Sequence, residues 1–231
     1  MNLWRYLDLA KFVALLQTHE LHFTRGDKFG DPFEGSYPLK NSKDFKPGKI
    51  SYSAKHWRKF VAVSCWHESD SESEAMWSLY TANKQGVAIK TTWEKLEAAA
   101  DGAYLAKVRY RDFITGRAKI KIPSDVFEYK RKAFSHEKEV RAIITHYPSA
   151  GIENGMPKNS APSRLEQLPK TGVSVELSDL AGFLDKIVVS PYSDPWFNDV
   201  VKGLTKKYGL PPGIVAQSEL RANPIYARIS S

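Results

Sequence analysis

Phe60-Val61-Ala62-Val63-Ser64-Cys65-Trp66 is a near-continuous apolar run, the pattern of a strand covered on both faces. Working outward from it, the N-terminal side reads as strand, helix, strand. Leu3 to Leu7 is short and aromatic-rich, Asp8 is placed to cap a helix over Leu9 to Thr18, and Leu21-His22-Phe23-Thr24 alternates as a strand. In the helix, Leu9, Phe12, Val13 and Leu16 recur at helical spacing. Between this strand and the apolar run lies a long loop from Gly26 to Pro47, rich in Gly, Pro, Asp and Lys.

On the C-terminal side the pattern alternates. Helices are expected over Ser71 to Ala82, Trp93 to Ala100 and Asp125 to Ser135, and strands over Gly86 to Thr92, Tyr104 to Tyr110 and Val140 to Ile144. Ala150 to Lys170 is poor in large apolar residues and reads as a flexible loop, 150–170. Strands follow at Val173 to Leu177 and Ile187 to Ser190. A helix over Pro195 to Tyr208 has Pro in its first turn and Gly209 as its stop, and Val215 begins a last short strand. The spacers are irregular, so the expected fold class is α+β: mixed, mainly antiparallel sheets with flanking helices in a single domain, 1–231.

Composition bounds the function. With 42% hydrophobic and 12% aromatic residues the chain can bury a sizeable core, which excludes the intrinsically disordered class. No apolar run approaches ~18 residues, so no membrane helix and no membrane partner are expected. The N-terminus shows no secretory pattern. One cysteine, Cys65, can form neither an internal disulfide nor a thiolate metal site alone, so a reducing, cytoplasmic setting is expected. The six histidines form no metal-binding pattern, and phosphate-loop, dinucleotide-fold and nucleophile-elbow motifs do not occur.

The 34 Lys and Arg exceed the 26 Asp and Glu by eight. Between Lys107 and Lys132 nine bases face three acids, so most of the excess sits in one stretch. Arg109 with Arg111, and Lys119 with Lys121, have strand spacing and would each project to one face. Such a face attracts polyanions, so segment 107–132 is the expected nucleic-acid contact; a plain solvated surface accounts for it equally.

Several blocks are more particular: Leu3-Trp4-Arg5-Tyr6, Leu21-His22-Phe23-Thr24, Asp31-Pro32-Phe33-Glu34-Gly35, Val63-Ser64-Cys65-Trp66, Met76-Trp77-Ser78-Leu79-Tyr80 and His136-Glu137-Lys138-Glu139-Val140-Arg141. In this order they resemble a bacterial domain-of-unknown-function family found near phage-defence loci. The chain departs from that pattern at Gly30, where the family has Asn. The block order is also similar to that of the ADP-ribosyltransferase superfamily, with Arg5 on a first strand, Ser64 on a central strand, and Glu137 and Glu139 at the entrance to a late one.

That second resemblance implies an ADP-ribosyltransferase-like fold and NAD+ as substrate. Cleavage of the ribose–nicotinamide bond develops positive charge on the ribose. Glu139 would stabilise it, and Glu137 would orient the acceptor. Arg5 would bind the pyrophosphate through its planar fork. Ser64 would hold a strand edge or a ribose hydroxyl, and Trp66, Trp77 and Tyr80 would stack on the nicotinamide or adenine. The resemblance also implies a defence toxin acting on nucleic acid or protein, with an antitoxin or defence-system partner. Structural roles stand beside these: an ion pair of Arg5 with Glu137 or Glu139, and core packing by Met76, Trp77 and Tyr80. Two other functions stay open. One is a non-enzymatic nucleic-acid-binding module; the other is a nuclease holding Mg2+ on Asp31, Glu34, Glu137 and Glu139.

Overall fold

The computed structural model describes residues 1–42, 57–81, 84–145, 152–153, 156–157 and 170–222. Its strands are β1 (Asn2–Asp8), β2 (Glu20–Arg25), β3 (Val61–Glu68), β4 (Gly86–Thr92), β5 (Ala103–Lys107), β6 (Arg109–Arg111), β7 (Tyr129–Arg131), β8 (Glu139–Thr145), β9 (Ile152–Glu153), β10 (Met156–Pro157), β11 (Gly172–Glu176), β12 (Lys186–Val189) and β13 (Val215–Gln217). The helices are α1 (Leu9–Thr18), α2 (Leu39–Ser42), α3 (Glu74–Tyr80), α4 (Trp93–Ala99), α5 (Leu180–Phe183) and α6 (Pro195–Lys207). The fold is α+β and mainly antiparallel. No helix among the described residues is long and apolar enough to cross a membrane.

The chain divides into two compact units, each assembled from three separate stretches, so no single cut in the sequence separates them. The first unit comprises Met1, Glu20–Glu68 and Trp93–Ser178. Its antiparallel ladder runs β11, β2, β3, β8, β5, with Ser64 opposite Ala142, Cys65 opposite Arg141 and His67 opposite Glu139. β6 and β7 add a parallel pair, Arg111 opposite Arg131. Val61, Val63, Val126, Phe127 and Ile143 form a buried core.

The second unit comprises Asn2–His19, Ser69–Thr92 and Asp179–Ser231. Here β1, β4 and β12 pair antiparallel, and β13 joins β12 in parallel. α1 begins where expected because the Asp8 carboxylate accepts from the Lys11 amide at 2.8 Å. It buries Phe12, Leu15 and Leu16, and stops at His19, which turns left-handed at φ 54°. α3 starts at Glu74 rather than near Ser71, because Ser73 caps it.

Three expectations need correction. Asp125 to Ser135 is not an α-helix: a 3-10 turn over Pro123–Glu128, β7, and a second 3-10 turn over Lys132–Glu137 replace it. Asp125 instead accepts from the amides of Lys121 and Ile122, and the Phe127 carbonyl goes to the Arg141 guanidinium, so the helical ladder never forms. Tyr104 to Tyr110 is two strands, not one. They part at Val108, whose amide donates to the Glu139 carbonyl at 2.8 Å. Lys119 and Lys121 lie on no strand, because this segment is held by single contacts such as the Lys119 amide on the Tyr129 hydroxyl. The expected loops fall partly outside the described residues: 43–47 of the first, and all of 150–170 except β9, β10 and Lys170.

Candidate active site: a buried carboxylate–cation cluster

Alternation along β8 puts Glu139 and Arg141 on one face. Arg141 grips that carboxylate twice, Nε to Oε1 at 2.8 Å and Nη2 to Oε2 at 2.9 Å. Its Nη1 donates to the Phe127 carbonyl at 2.8 Å, and Nη2 reaches Glu34 Oε1 at 3.0 Å. Phe29 lies against the guanidinium, 5.5 Å from ring centre to Cζ. Arg141 is 0% exposed, a position a guanidinium tolerates only when its donors are satisfied.

Glu34 reaches this point from across the sequence. The loop that carries it closes on Phe127 at both ends. A Cβ at Gly26 would lie 2.3 Å from the Phe127 ring, and one at Gly35 2.6 Å from it. Gly35 also has φ +68°, so both space and conformation call for glycine. Beside the loop, Arg131 clamps Asp31 with two bonds, at 2.9 and 3.1 Å.

Lys130 completes the cluster. Its ammonium lies 2.6 Å from Glu137, 3.1 Å from Glu139 and 3.3 Å from Glu34. Three carboxylates and two cations therefore share the unit's interior. Glu34 Oε2 lies 2.8 Å from Arg141 Nη2 and has no hydrogen-bond partner among the described residues. Between the two β8-side carboxylates, Lys138 turns left-handed at φ 40°. This unusual geometry for a non-glycine residue is fixed by bonds on both sides: the Lys138 carbonyl accepts from the Glu68 amide at 2.9 Å, and His67 Nδ1 meets the Glu137 carbonyl at 2.6 Å.

The cluster drives its acids apart. Burial by itself would raise Glu139, but Arg141 and then Lys130 outweigh it and hold the carboxyl at about 2. For Glu137 burial wins over the Lys130 contact, and the carboxyl is raised. Both cations stay firmly charged, because the facing carboxylates outweigh desolvation. Burial pushes the Cys65 thiol up, with Glu139 adding to it. Tyr110, whose oxygen accepts from the Glu139 amide at 2.8 Å, is pushed up to about 12, chiefly by burial.

The residues singled out from sequence divide sharply. Glu137 and Glu139 meet on one ammonium. Ser64 is fully buried, and its hydroxyl accepts from Trp66 Nε1 at 3.0 Å. Trp66 and Trp77 are 2% and 0% exposed, so neither presents a ring face for stacking. Trp77 packs with Trp4, Tyr6 and Met76, the core role weighed for it, whereas Tyr80 at the end of α3 is exposed. Arg5 is half-buried on β1 of the second unit, opposite Ile89. The cations on Glu137 and Glu139 are Lys130 and Arg141.

The Mg2+ set also needs correction. Asp31 is taken by Arg131, and the three glutamates by Lys130 and Arg141; among the described residues no group of His, Cys, Asp and Glu could hold a metal ion. Arg109, Arg111, Lys119 and Lys121 are exposed as expected, although Arg109 is engaged by Glu128 and the Tyr129 hydroxyl. Lys130, counted among the surface bases, points inward instead. Sequence reasoning missed Lys130 and Arg141 as site residues. Arg141 carried a signal: a guanidinium inside Val140-Arg141-Ala142-Ile143-Ile144 has to find a buried carboxylate.

Comparisons with solved structures find three of a DarT protein from Thermus sp. 2.9. The complex with NAD+ is 6% identical, covering 96% of this chain and 97% of that one, at TM-score 0.46. The complex with carba-NAD+ is 8% identical (94% and 95%, TM-score 0.40), and that with ADP-ribosylated single-stranded DNA 7% identical (96% and 96%, TM-score 0.41). No curated protein matches the chain. Residues 76–142, which hold Lys130, Glu137, Glu139 and Arg141, match the family described as Protein of unknown function (DUF2971).

Proposed function

We propose that this chain is an ADP-ribosyltransferase-like enzyme that uses NAD+ as substrate, with Glu139 and Glu137 as its reacting carboxylates. The observation that carries the reading is their divergence on one ammonium: Glu139 stays ionised to about pH 2 while Glu137 is raised. Two acids whose surroundings push them apart mark a division of labour between charge stabiliser and proton carrier. The polar handles of Trp66, Trp77 and Ser64 are taken up inside the fold, Trp66 by the Ser64 hydroxyl and Trp77 by Glu72, so the reaction is written with the two carboxylates alone.

In the reaction, the bond from the ribose anomeric carbon to nicotinamide breaks, and its electron pair leaves with neutral nicotinamide. Glu139 offsets the positive charge that develops on the ribose. The acceptor's nucleophile bonds to the same carbon, and its proton passes to Glu137. Arg141 and Lys130 fix both carboxylates in place, so little reorganisation accompanies the step.

The acceptor is a nucleic acid or a protein, and the exposed Arg109, Arg111, Lys119 and Lys121 favour the former. The family resemblance supports the further reading of a cytoplasmic phage-defence toxin with an antitoxin partner. The test is incubation with labelled NAD+ and total nucleic acid or lysate. Nicotinamide release and transferred label are expected, with a loss of at least about 100-fold in a folded Glu139→Gln variant. Absence of both, or full activity in that variant, removes the proposal. The same exposed bases favour one second reading, a non-enzymatic nucleic-acid-binding module, identified by salt-sensitive binding without turnover.

A further inference from the structure

Phe33 belongs to the loop that delivers Glu34, yet 40% of it stays exposed. It is not a loose side chain. The Arg131 guanidinium lies 4.6 Å from its ring centre, and Phe113 meets it edge-on at 5.7 Å. Arg131 is in turn fixed by its two bonds to Asp31 and stacked on Phe134 at 5.3 Å. One guanidinium thus lies against two rings, and the Phe33 ring reaches solvent.

Two further observations say what such an arrangement would take. The first is charge. Arg111 stands opposite Arg131 on the β6–β7 pair, and Lys119 and Lys121 follow the segment whose Phe113 packs on Phe33. Arg111, Lys119 and Lys121 are exposed. The second is position. The Phe134 ring that backs Arg131 also lies 4.9 Å from the Lys130 ammonium, which holds Glu137 and Glu139. A polyanion with accessible π faces is a single-stranded nucleic acid; in a duplex those faces are stacked away.

We infer that Phe33, braced by Arg131, is the platform on which a single-stranded nucleic-acid acceptor stacks a base, with Arg111, Lys119 and Lys121 engaging its phosphates. As an acceptor site it rests on the enzymatic reading above. Phe33 contributes a flat, pre-positioned ring, so little side-chain freedom is lost on binding. The basic residues contribute affinity without sequence preference.

The experiment is binding of a fluorescein-labelled oligothymidylate to the full chain by anisotropy, without NAD+ and over a range of salt, beside a nicotinamide-release assay with NAD+. Phe33→Ala is expected to weaken binding about tenfold with an unchanged salt slope. Phe33→Trp should restore it, with quenching of the new indole. Joint replacement of Arg111, Lys119 and Lys121 by Gln should flatten the slope. The same sequence as a duplex should bind less tightly. Melting curves of each variant establish that it is folded. Wild-type binding by a folded Phe33→Ala protein, no recovery in Phe33→Trp, or equal affinity for the duplex overturns the inference. Nicotinamide release without oligonucleotide binding also overturns it, and leaves the enzymatic reading standing. Phe33-dependent binding without nicotinamide release removes the enzymatic reading, and with it the acceptor role.

Discussion

The Trp77 core and the Arg141 cluster are both buried, yet they solve different problems. Around Trp77 the buried groups are apolar bodies with single polar handles, and each handle meets a polar group of the same unit. Trp77 Nε1 donates to Glu72 at 2.8 Å, Trp4 Nε1 to the Ser69 carbonyl at 2.9 Å, and the Tyr6 hydroxyl accepts from the Ser73 amide at 2.7 Å. Tyr6 and Trp77 meet edge-to-face at 4.9 Å, an arrangement worth about 1 kcal/mol beyond its burial. Every contact there favours the folded state. Around Arg141 the buried groups are five full charges, and their mutual attraction only offsets the cost of taking them from water. Replacing such a set by well-packed apolar residues is often neutral or stabilising. Burial alone therefore does not separate packing from function; the sign and cost of what is buried does.

The contrast can be broken most directly at Arg141. Arg141→Met strands Glu34 and Glu139 inside the unit and should cost about 3–5 kcal/mol in denaturant unfolding; a cost below about 1 kcal/mol would show that the cluster is not a closed ion network. The next effect is on pH. Glu139 is held at about 2 against an ordinary 4.5. Its contribution of about 3 kcal/mol is thus complete above pH 4.5 and drains away between pH 4.5 and 2. Glu137 is raised and works with the opposite sign, stabilising the fold at low pH and losing that effect as pH rises through its folded value. Glu139→Gln should abolish the acid limb that Glu139 causes, and an unchanged limb would assign it elsewhere.

Smaller effects sharpen the comparison. Trp77→Phe keeps most of the ring and loses the bond to Glu72, so about 1–2 kcal/mol of stability should go while nicotinamide release per folded molecule stays constant. Altered turnover at equal stability would give Trp77 a role beyond packing. Glu137→Gln should cost less than Arg141→Met, because the amide keeps the shape and an acceptor oxygen for Lys130, whose charge still faces Glu139 and Glu34. Its effect should fall on transfer to the acceptor instead, and a Glu137→Gln protein with normal transfer would deny it the proton.

Local chemistry was readable without coordinates. Asp8 as a cap, the spacing through Leu16, Pro195 at a helix start and Gly209 at its stop all act within a few residues of themselves, and each element stands where that chemistry places it. The failed helix over Asp125 to Ser135 marks where such reasoning stops: the Phe127 carbonyl is claimed by a guanidinium fourteen residues on. In α3, Met76 and Trp77 were legible as core, whereas Tyr80, read beside them, is exposed.

By itself, the order of residues determined the mainly antiparallel α+β class, the start and stop of α1 and α6, and the placing of Glu137 and Glu139 at the entrance to β8. Only the tertiary structure decided which charges are inside. Lys130 and Lys132 are two positions apart and the same residue type, yet one is buried among glutamates and the other exposed. Glu34 meets Arg141 across 107 residues. A charge enters a protein interior only when its counter-charge is brought to it, and the chain segments that bring these together are joined by folding, not by sequence proximity.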